Sequence, residues 1–326
     1  MIQMKKGGRI FCAGDISPDI IIPYGETRKA LSRLKEGESL PPAKPALRSG
    51  GSIGHTVAAL GMLGIRPRLL SVVGTDEYSD FLLDDLRENG VDVSLVGKQK
   101  ERINLILAIL DGEGERVIYL YNGPGAKLPD LTREHLKDEL LPQVGWLHCN
   151  GFANDDTVDF MERCSATGSV VSFDLNLRVE DHGLDAVRRA RIERAVAASD
   201  VLFGSGAEEF TPLTGIKELK EAAESLSEGR IVIARDGSNP IFVFQGGMCH
   251  RVPFEKVKPV SPVGSGDIFN GGFIAACALG KPVLTAAKWG CCCAAHALAS
   301  HVYHDIPTLA QLQARECDGT LLSGGG

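Results

Sequence analysis

Hydrophobic positions along the chain follow two periods. Short apolar runs at Arg9 to Ala13, Leu69 to Val73, Val144 to Cys149, Val170 to Leu175, Val201 to Phe203 and Ile231 to Ala234 have the length of buried strands. Between them apolar residues recur at helical spacing, as at Val57, Leu60 and Leu63, at Phe81, Leu82 and Leu86, and in stretches around 155–166, 185–198 and 217–228. Strands alternating with helices predict an α/β fold whose mostly parallel sheet is covered on both faces. Ligands of such folds sit at the carboxyl ends of the strands. Those ends hold Asn150, Asp174 to Arg178, Glu208-Glu209, Arg235-Asp236-Gly237 and the turn Gly264-Ser265-Gly266-Asp267.

Two stretches break the rhythm. Asp19 to Ile22 reads as a continuation of the first strand toward an edge, and Tyr24 to Leu47, rich in charge and proline, reads as a mobile connection. Val91 to Val96, Ile103 to Leu110 and Val117 to Tyr121 read as strands with no helix between them, the last two joined by a turn at Asp111 to Gly114. They predict a small antiparallel sheet standing apart from the main one. The expectation is one domain over 1–326 with a lid built from approximately 15–48 and 91–122.

Composition narrows the function classes. A chain of 326 residues that is 44% hydrophobic fits a large α/β core, and a net charge of −7 argues against nucleic-acid or anionic-membrane partners. The apolar run after Lys5 and Lys6 is cut by Asp15, so no signal-peptide body is expected, and no stretch reaches the length of a membrane span. Nine cysteines without a Cys-x-x-Cys pair argue against a disulfide framework and against zinc. Cys291, Cys292 and Cys293 follow one another in a helical pattern, where they cannot close round one metal and read as packing residues. A reducing, cytoplasmic setting is expected.

The candidate chemistry centres on Gly264 to Asp267, which runs into the apolar stretch Ile268 to Leu279. Two glycines let the backbone approach a ligand, and a following helix adds the positive end of its dipole, so the turn can hold an anion. An acid at an anion site either takes a proton from a hydroxyl about to be phosphorylated or caps the helix.

Gly50-Gly51-Ser52-Ile53-Gly54-His55, Val73-Gly74-Thr75-Asp76, Phe173-Asp174-Leu175-Asn176-Leu177-Arg178 and Gly264-Ser265-Gly266-Asp267-Ile268-Phe269 resemble, in order, the signatures of the ribokinase-like (PfkB) carbohydrate kinases. The resemblance implies a three-layer α-β-α core with a β-sheet lid, and transfer of phosphate from ATP, with Mg²⁺, to a hydroxyl of a small sugar or sugar acid. It implies that Asp267 is the base and that Gly264, Ser265 and Gly266 form the anion hole. Asp19, Gly50, Gly51, His55, Asn176 and Arg178 would line the sugar, and Arg235, Asp236, Gly237, Gly264, Gly266 and Cys293 the nucleotide. Glu209 would organise Mg²⁺ through water, and the lid sheets of two copies would pair in a homodimer.

The chain departs from the pattern at four places. His55 and Gly206 stand where asparagines are usual, Ser261-Pro262-Val263 replaces Asp-Thr-Thr, and Cys293 replaces an adenine-lining asparagine. These departures keep two further readings open: a nucleoside kinase of the same fold, and a sensor that binds a sugar or nucleotide without turnover. A nicotinamide dehydrogenase is disfavoured, because Ala13-Gly14-Asp15-Ile16 lacks the Gly-x-Gly-x-x-Gly loop. The stretch from Gly114 to Ala126 and the Asn176, Arg178 pair resemble fructokinase and ketodeoxygluconate kinase members more than nucleoside kinases, so a ketose or sugar acid leads.

Overall fold

The computed structural model describes residues 2–23, 46–100, 102–110, 116–121, 126–127, 130–260, 263–300 and 304–321. In chain order the strands are β1 (Arg9–Ala13), β2 (Ser17–Pro23), β3 (Ala46–Gly50), β4 (Arg68–Leu70), β5 (Val72–Val73), β6 (Gly97–Lys98), β7 (Arg102–Ile103) and β8 (Leu105–Leu110). They continue with β9 (Arg116–Tyr121), β10 (Ala126–Lys127), β11 (Val144–Asn150), β12 (Val170–Asp174), β13 (Val201–Ser205), β14 (Ile231–Arg235), β15 (Ile241–Gln245) and β16 (Met248–Val252).

The main sheet has eight strands in the order β16-β15-β14-β13-β12-β11-β1-β4. All neighbours from β14 to β4 are parallel, and β15 and β16 add an antiparallel edge. Successive side chains of a strand point to opposite faces, and here both faces are buried. Ile10 and Cys12 pack with the helices Ser52–Met62, Glu77–Glu88, Ser265–Ala278 and Val283–Ala299, whereas Phe11 and Ala13 pack with Asp155–Ala166, Ala186–Ala197 and Leu219–Ser225. The result is the three-layer α-β-α core that the alternation predicts. Among the described residues no helix is long and apolar enough to cross a membrane.

A separate four-stranded sheet has the order β3-β2-β8-β9. It differs from expectation in two respects. Asp19 to Ile22 does not extend β1 but belongs to β2 of this sheet, and the sheet is mixed rather than antiparallel, because β2 runs parallel to β8. The predicted strand Val91 to Val96 is also absent. Asp92 makes one isolated bridge to Arg68, and its carboxylate accepts the Ser94 N–H at 3.0 Å, a turn that stops pairing until β6 meets β5. Leu69 to Val73 splits at Ser71, whose hydroxyl donates to the Gly14 carbonyl at 2.7 Å. The connection read over Tyr24 to Leu47 lies outside the described residues up to 45, and its last two residues open β3; the turn at Asp111 to Gly114 lies outside them too.

Glu208 and Glu209, expected in a loop, occupy the first turn of the helix Gly206–Thr214. The β15–β16 hairpin and the helix Leu309–Cys317 had no forecast.

The helix Ser265–Ala278 is wedged between Ser52–Met62 and Val283–Ala299 by glycines. A Cβ on Gly271 would stand 2.7 Å from the Ala59 Cβ and 2.9 Å from the Thr56 carbonyl, and one on Gly290 would stand 2.8 Å from the Phe269 carbonyl. Those separations are shorter than van der Waals contact, so the helices can approach this closely only without side chains there. Gly271→Ala is expected to push two helices apart and to cost about 1–3 kcal/mol, read from urea unfolding midpoints at unchanged slope.

Candidate active site

The glycine turn is built as the sequence predicts. Gly264 is left-handed (φ 71°) and caps the helix Ser265–Ala278. Its carbonyl accepts the first bond of that helix, from the Ile268 N–H at 2.8 Å, so the amides of Ser265, Gly266 and Asp267 lie ahead of the intrahelical ladder. Asp267 sits in this first turn, half-buried. The Ser52 hydroxyl donates to its Oδ1 at 2.5 Å, and the Thr56 hydroxyl donates to its carbonyl at 3.0 Å. Burial, and then the charge of Asp174, push the Asp267 carboxyl well above the usual carboxylate range, against the pull of Ser52 and Arg235.

Behind the turn lies a buried polar network that joins two strand ends to the helix. Arg235, at the end of β14, donates through one terminal nitrogen to the Gly266 carbonyl at 2.5 Å and to Asn270 Oδ1 at 3.1 Å, and through the other to Asp174 Oδ2 at 2.9 Å. Asn270 Nδ2 donates to the same Asp174 oxygen at 2.5 Å. Asp174 Oδ1 is buried with no hydrogen-bond partner among the described residues. Nearby, Glu209 Oε2 accepts the Ser205 N–H at 2.8 Å, and burial together with the charge of Asp174 pushes its carboxyl up to about 8. Asp174, Glu209 and Asp267 thus share a single guanidinium, a local excess of negative charge.

On the other side of the turn, His55 packs against Gly264, where a Cβ would lie 2.5 Å from the imidazole Cδ2. His55 Nε2 is 3.8 Å from Asp19 Oδ2, and Ser17 donates to Asp19 Oδ1 at 2.8 Å. A Cβ on Gly50 would fall 2.1–2.2 Å from the Asp19 carboxylate atoms, and one on Gly51 (φ 82°) 2.7 Å from the Ile16 Cα. Gly50 is therefore a steric requirement of the buried Asp19, and Gly51 of the backbone from Asp15 to Ser17 beside it. Asp15 ties the pieces together, accepting from the Ser52 N–H at 2.8 Å and from Asn150 Nδ2 at 2.7 Å.

Residues 19–307 match the family model described as pfkB family carbohydrate kinase. The chain belongs to that family. A fructokinase of Vibrio alginolyticus is 26% identical over 235 residues, 69% of this chain and 75% of the relative. A ketohexokinase of Mus musculus is 24% identical over 300 residues, 87% of this chain and 93% of the relative. Among solved structures, a ribokinase II-type protein of E. coli in complex with ATP and Mg²⁺ superposes with a TM-score of 0.78 at 21% identity, covering 95% of this chain and 99% of that one.

The remaining residues marked out in this pfkB-family kinase take varied positions. Asn176 and Arg178 are both left-handed without being glycine (φ 35° and 40°), a conformation that marks constrained loops. Arg178 donates to Asn176 Oδ1 at 3.2 Å and lies over the Phe152 ring, and no ion pair to Glu180 forms among the described residues. Asp236 and Gly237 form the turn after β14, where Asn239 bonds back to Asp236. Arg235 has its guanidinium committed inward, so its position beside the turn is that of a brace. Cys293 is fully buried, and a Cβ on Gly272 would be 2.9 Å from its sulfur, so it packs the helix crossing along with Cys291 and Cys292. Gly206 is left-handed (φ 67°), and a Cβ there would meet the Glu208 carboxylate, the tip of an exposed side chain. Ser261 and Pro262 lie outside the described residues, and Val263 packs against Ile21 and Ala108 of the small sheet.

Asp15, Ser52, Asn150, Asp174 and Asn270 were not marked as site residues from the sequence. Two of them carried a signal: Asn150 and Asp174 are register partners at the carboxyl ends of adjacent strands. Removing the cation of the network leaves a buried carboxylate uncompensated. Arg235→Met is expected to cost about 3–5 kcal/mol by chemical denaturation, and Asp174→Leu in the same chain to restore much of it.

Proposed function

We propose that this kinase transfers the terminal phosphoryl group of ATP to a hydroxyl of a ketose or sugar acid, with Asp267 as general base and the amides of Gly264, Ser265 and Gly266 as the anion hole. The observation that carries this reading is an ionisable carboxylate, oriented by Ser52 at 2.5 Å, one turn into a helix capped by a left-handed glycine. The ordinary fate of an acid at a helix start is to cap it through its side chain. Asp267 instead receives a hydroxyl from the neighbouring helix, and the cap is a glycine with no side chain.

Phosphoryl transfer asks for positioning and charge stabilisation more than for a strong base. The amides and the helix dipole favour negative charge as it develops, and Asp267 accepts the hydroxyl proton as the bond to phosphorus forms. A raised carboxyl also makes a better base once ionised. Asp19, with Ser17 on one oxygen and His55 facing the other, is read as the acceptor of sugar hydroxyls. The donor set fits Mg²⁺. Asp174 and Glu209 bring two carboxylates close together beside the turn, Asp174 with a buried oxygen left unbonded among the described residues, and an ion that keeps part of its water shell needs few protein ligands. When bound, Mg²⁺ would neutralise phosphate charge; Glu209 and Asp174 would hold it through water. We read the four-stranded sheet, with Val263 of the turn packed on Ile21 and Ala108, as the lid over the sugar. The ketose preference follows the fructokinase and ketohexokinase relatives.

The test is ADP release with MgATP over a panel of hexoses, sugar acids and nucleosides. Asp267→Asn is expected to lower kcat by about 10²–10⁴-fold on the best acceptor while ATP affinity by calorimetry holds. Because the ionised carboxylate is the active form and its pKa is raised, kcat should climb with pH through a range above that of ordinary carboxylates. Asp174→Asn, which removes a neighbouring negative charge, should move that acid limb to lower pH. ATP binding without ADP release on any acceptor would overturn the kinase reading in favour of a sensor.

A further inference from the structure

The site reading leaves the buried His304 unused. His304 lies just before Ile306, which joins the apolar cluster of the inner helices, and is itself buried. Its Nε2 is 2.9 Å from Nδ1 of His55, with the rings edge to face at 76° and 5.2 Å between centroids. Through this contact a line of groups runs from His304 to His55, and on to Asp19 Oδ2 at 3.8 Å from His55 Nε2.

We propose that His304 is a positioning residue for sugar recognition, acting through His55 on the Asp19 carboxylate. This rests on the reading of Asp19 as the acceptor of sugar hydroxyls. The argument starts from the two nitrogens of an imidazole. The bond made by one of them fixes the tautomer and ring orientation that the other presents. Burial pushes His304 down to about 4, so near neutral pH it carries one N–H and one acceptor nitrogen, and the contact is a hydrogen bond between rings and not a repulsion between cations. The charged groups that bear on it are Asp85, of the helix Glu77–Glu88, and Arg48, of β3. With His304 donating from Nε2, His55 accepts at Nδ1 and carries its own proton on Nε2, which faces Asp19 Oδ2 at 3.8 Å, within reach of charge–dipole attraction though beyond a hydrogen bond. Gly264 packs against one side of the same ring, and the opposite oxygen of Asp19 is fixed by Ser17. A carboxylate bonded at one oxygen and faced by an N–H at the other loses less freedom when it accepts hydroxyls, and the benefit appears in sugar affinity.

The backbone supports the assignment. His304 adopts a left-handed conformation (φ 59°) that a side chain other than glycine disfavours. The fold therefore carries an imidazole where glycine would be easier, and that gives a clean test. His304→Gly removes the ring while relieving the backbone, so the variant is expected to fold, checked by its thermal midpoint.

With MgATP and D-fructose, or the best acceptor of the panel where that differs, His304→Gly should raise the sugar KM about tenfold. Its kcat and its KM for ATP should stay within about twofold of the parent, which a general packing defect would not spare. His304→Gln, which offers a hydrogen-bonding group near the Nε2 position, should recover part of the loss. In a His55→Ala background, His304→Gly should have no further effect on KM, since the two act in series. An unchanged sugar KM in His304→Gly, or additive effects with His55→Ala, overturns the proposal. Asp19→Ala separates the two levels: a raised sugar KM in Asp19→Ala beside a silent His304→Gly removes only the role of His304, whereas a silent Asp19→Ala removes the reading of Asp19 and the inference with it.

Discussion

The site depends on one buried ion pair, Arg235 with Asp174. Each comes from the carboxyl end of a different parallel strand, and Arg235 reaches the carbonyl of Gly266 as well, so the sheet holds the glycine turn directly. A pair this deep gains little net stability, because the cost of taking both charges from water roughly offsets their attraction. What it supplies is position. The guanidinium fixes the Gly266 peptide from behind, and Asn270, one helical turn beyond Asp267, closes the same network from the helix. The peptides of the turn are thereby held from behind by the sheet, which on the proposed reading is the preorganisation that electrostatic catalysis needs.

Burial, and then the charge of Asp174, raise the carboxyls of Glu209 and Asp267, and Arg235 offsets only part of the rise. The folded state binds these protons better than the unfolded chain, so their contribution to stability fades as pH rises through the raised values.

Much of this was legible in the sequence, for identifiable reasons. Continuous apolar runs and helical spacing carry the core, because burial on both faces imposes them; the helix predicted around 155–166 is found at Asp155–Ala166. Gly264 and Asp267 were legible because only a few residue types can form a left-handed cap with an acid behind it. The small sheet was only half legible. β8 and β9 were found, but β3 was not and β2 was read as a continuation of β1, and the parallel pairing of β2 with β8 joins residues far apart in the chain, which no local pattern encodes. Val91 to Val96 misled because alternating valines satisfy the strand period while Asp92 and Ser94 form a turn. Asn270 and Ser52 stayed unmarked because each is an ordinary polar residue until the fold brings it to Arg235 or Asp267, and Asp174, though at a ligand-side strand end, shows its role only through the Arg235 contact.

The departures from the family pattern take on a common logic once the contacts are known. Gly206 is the left-handed first residue of its helix, a position that suits glycine. Cys293 fills the space opposite Gly272 and serves the helix crossing that sets the depth of Asp267. His55 is bulkier than the asparagine it replaces and is accommodated because Gly264 presents no Cβ to it. The glycine that caps the helix is therefore also the one that makes room for the imidazole. A substitution at either position would disturb the other, so the turn and the Asp19 side of it are coupled through a single glycine.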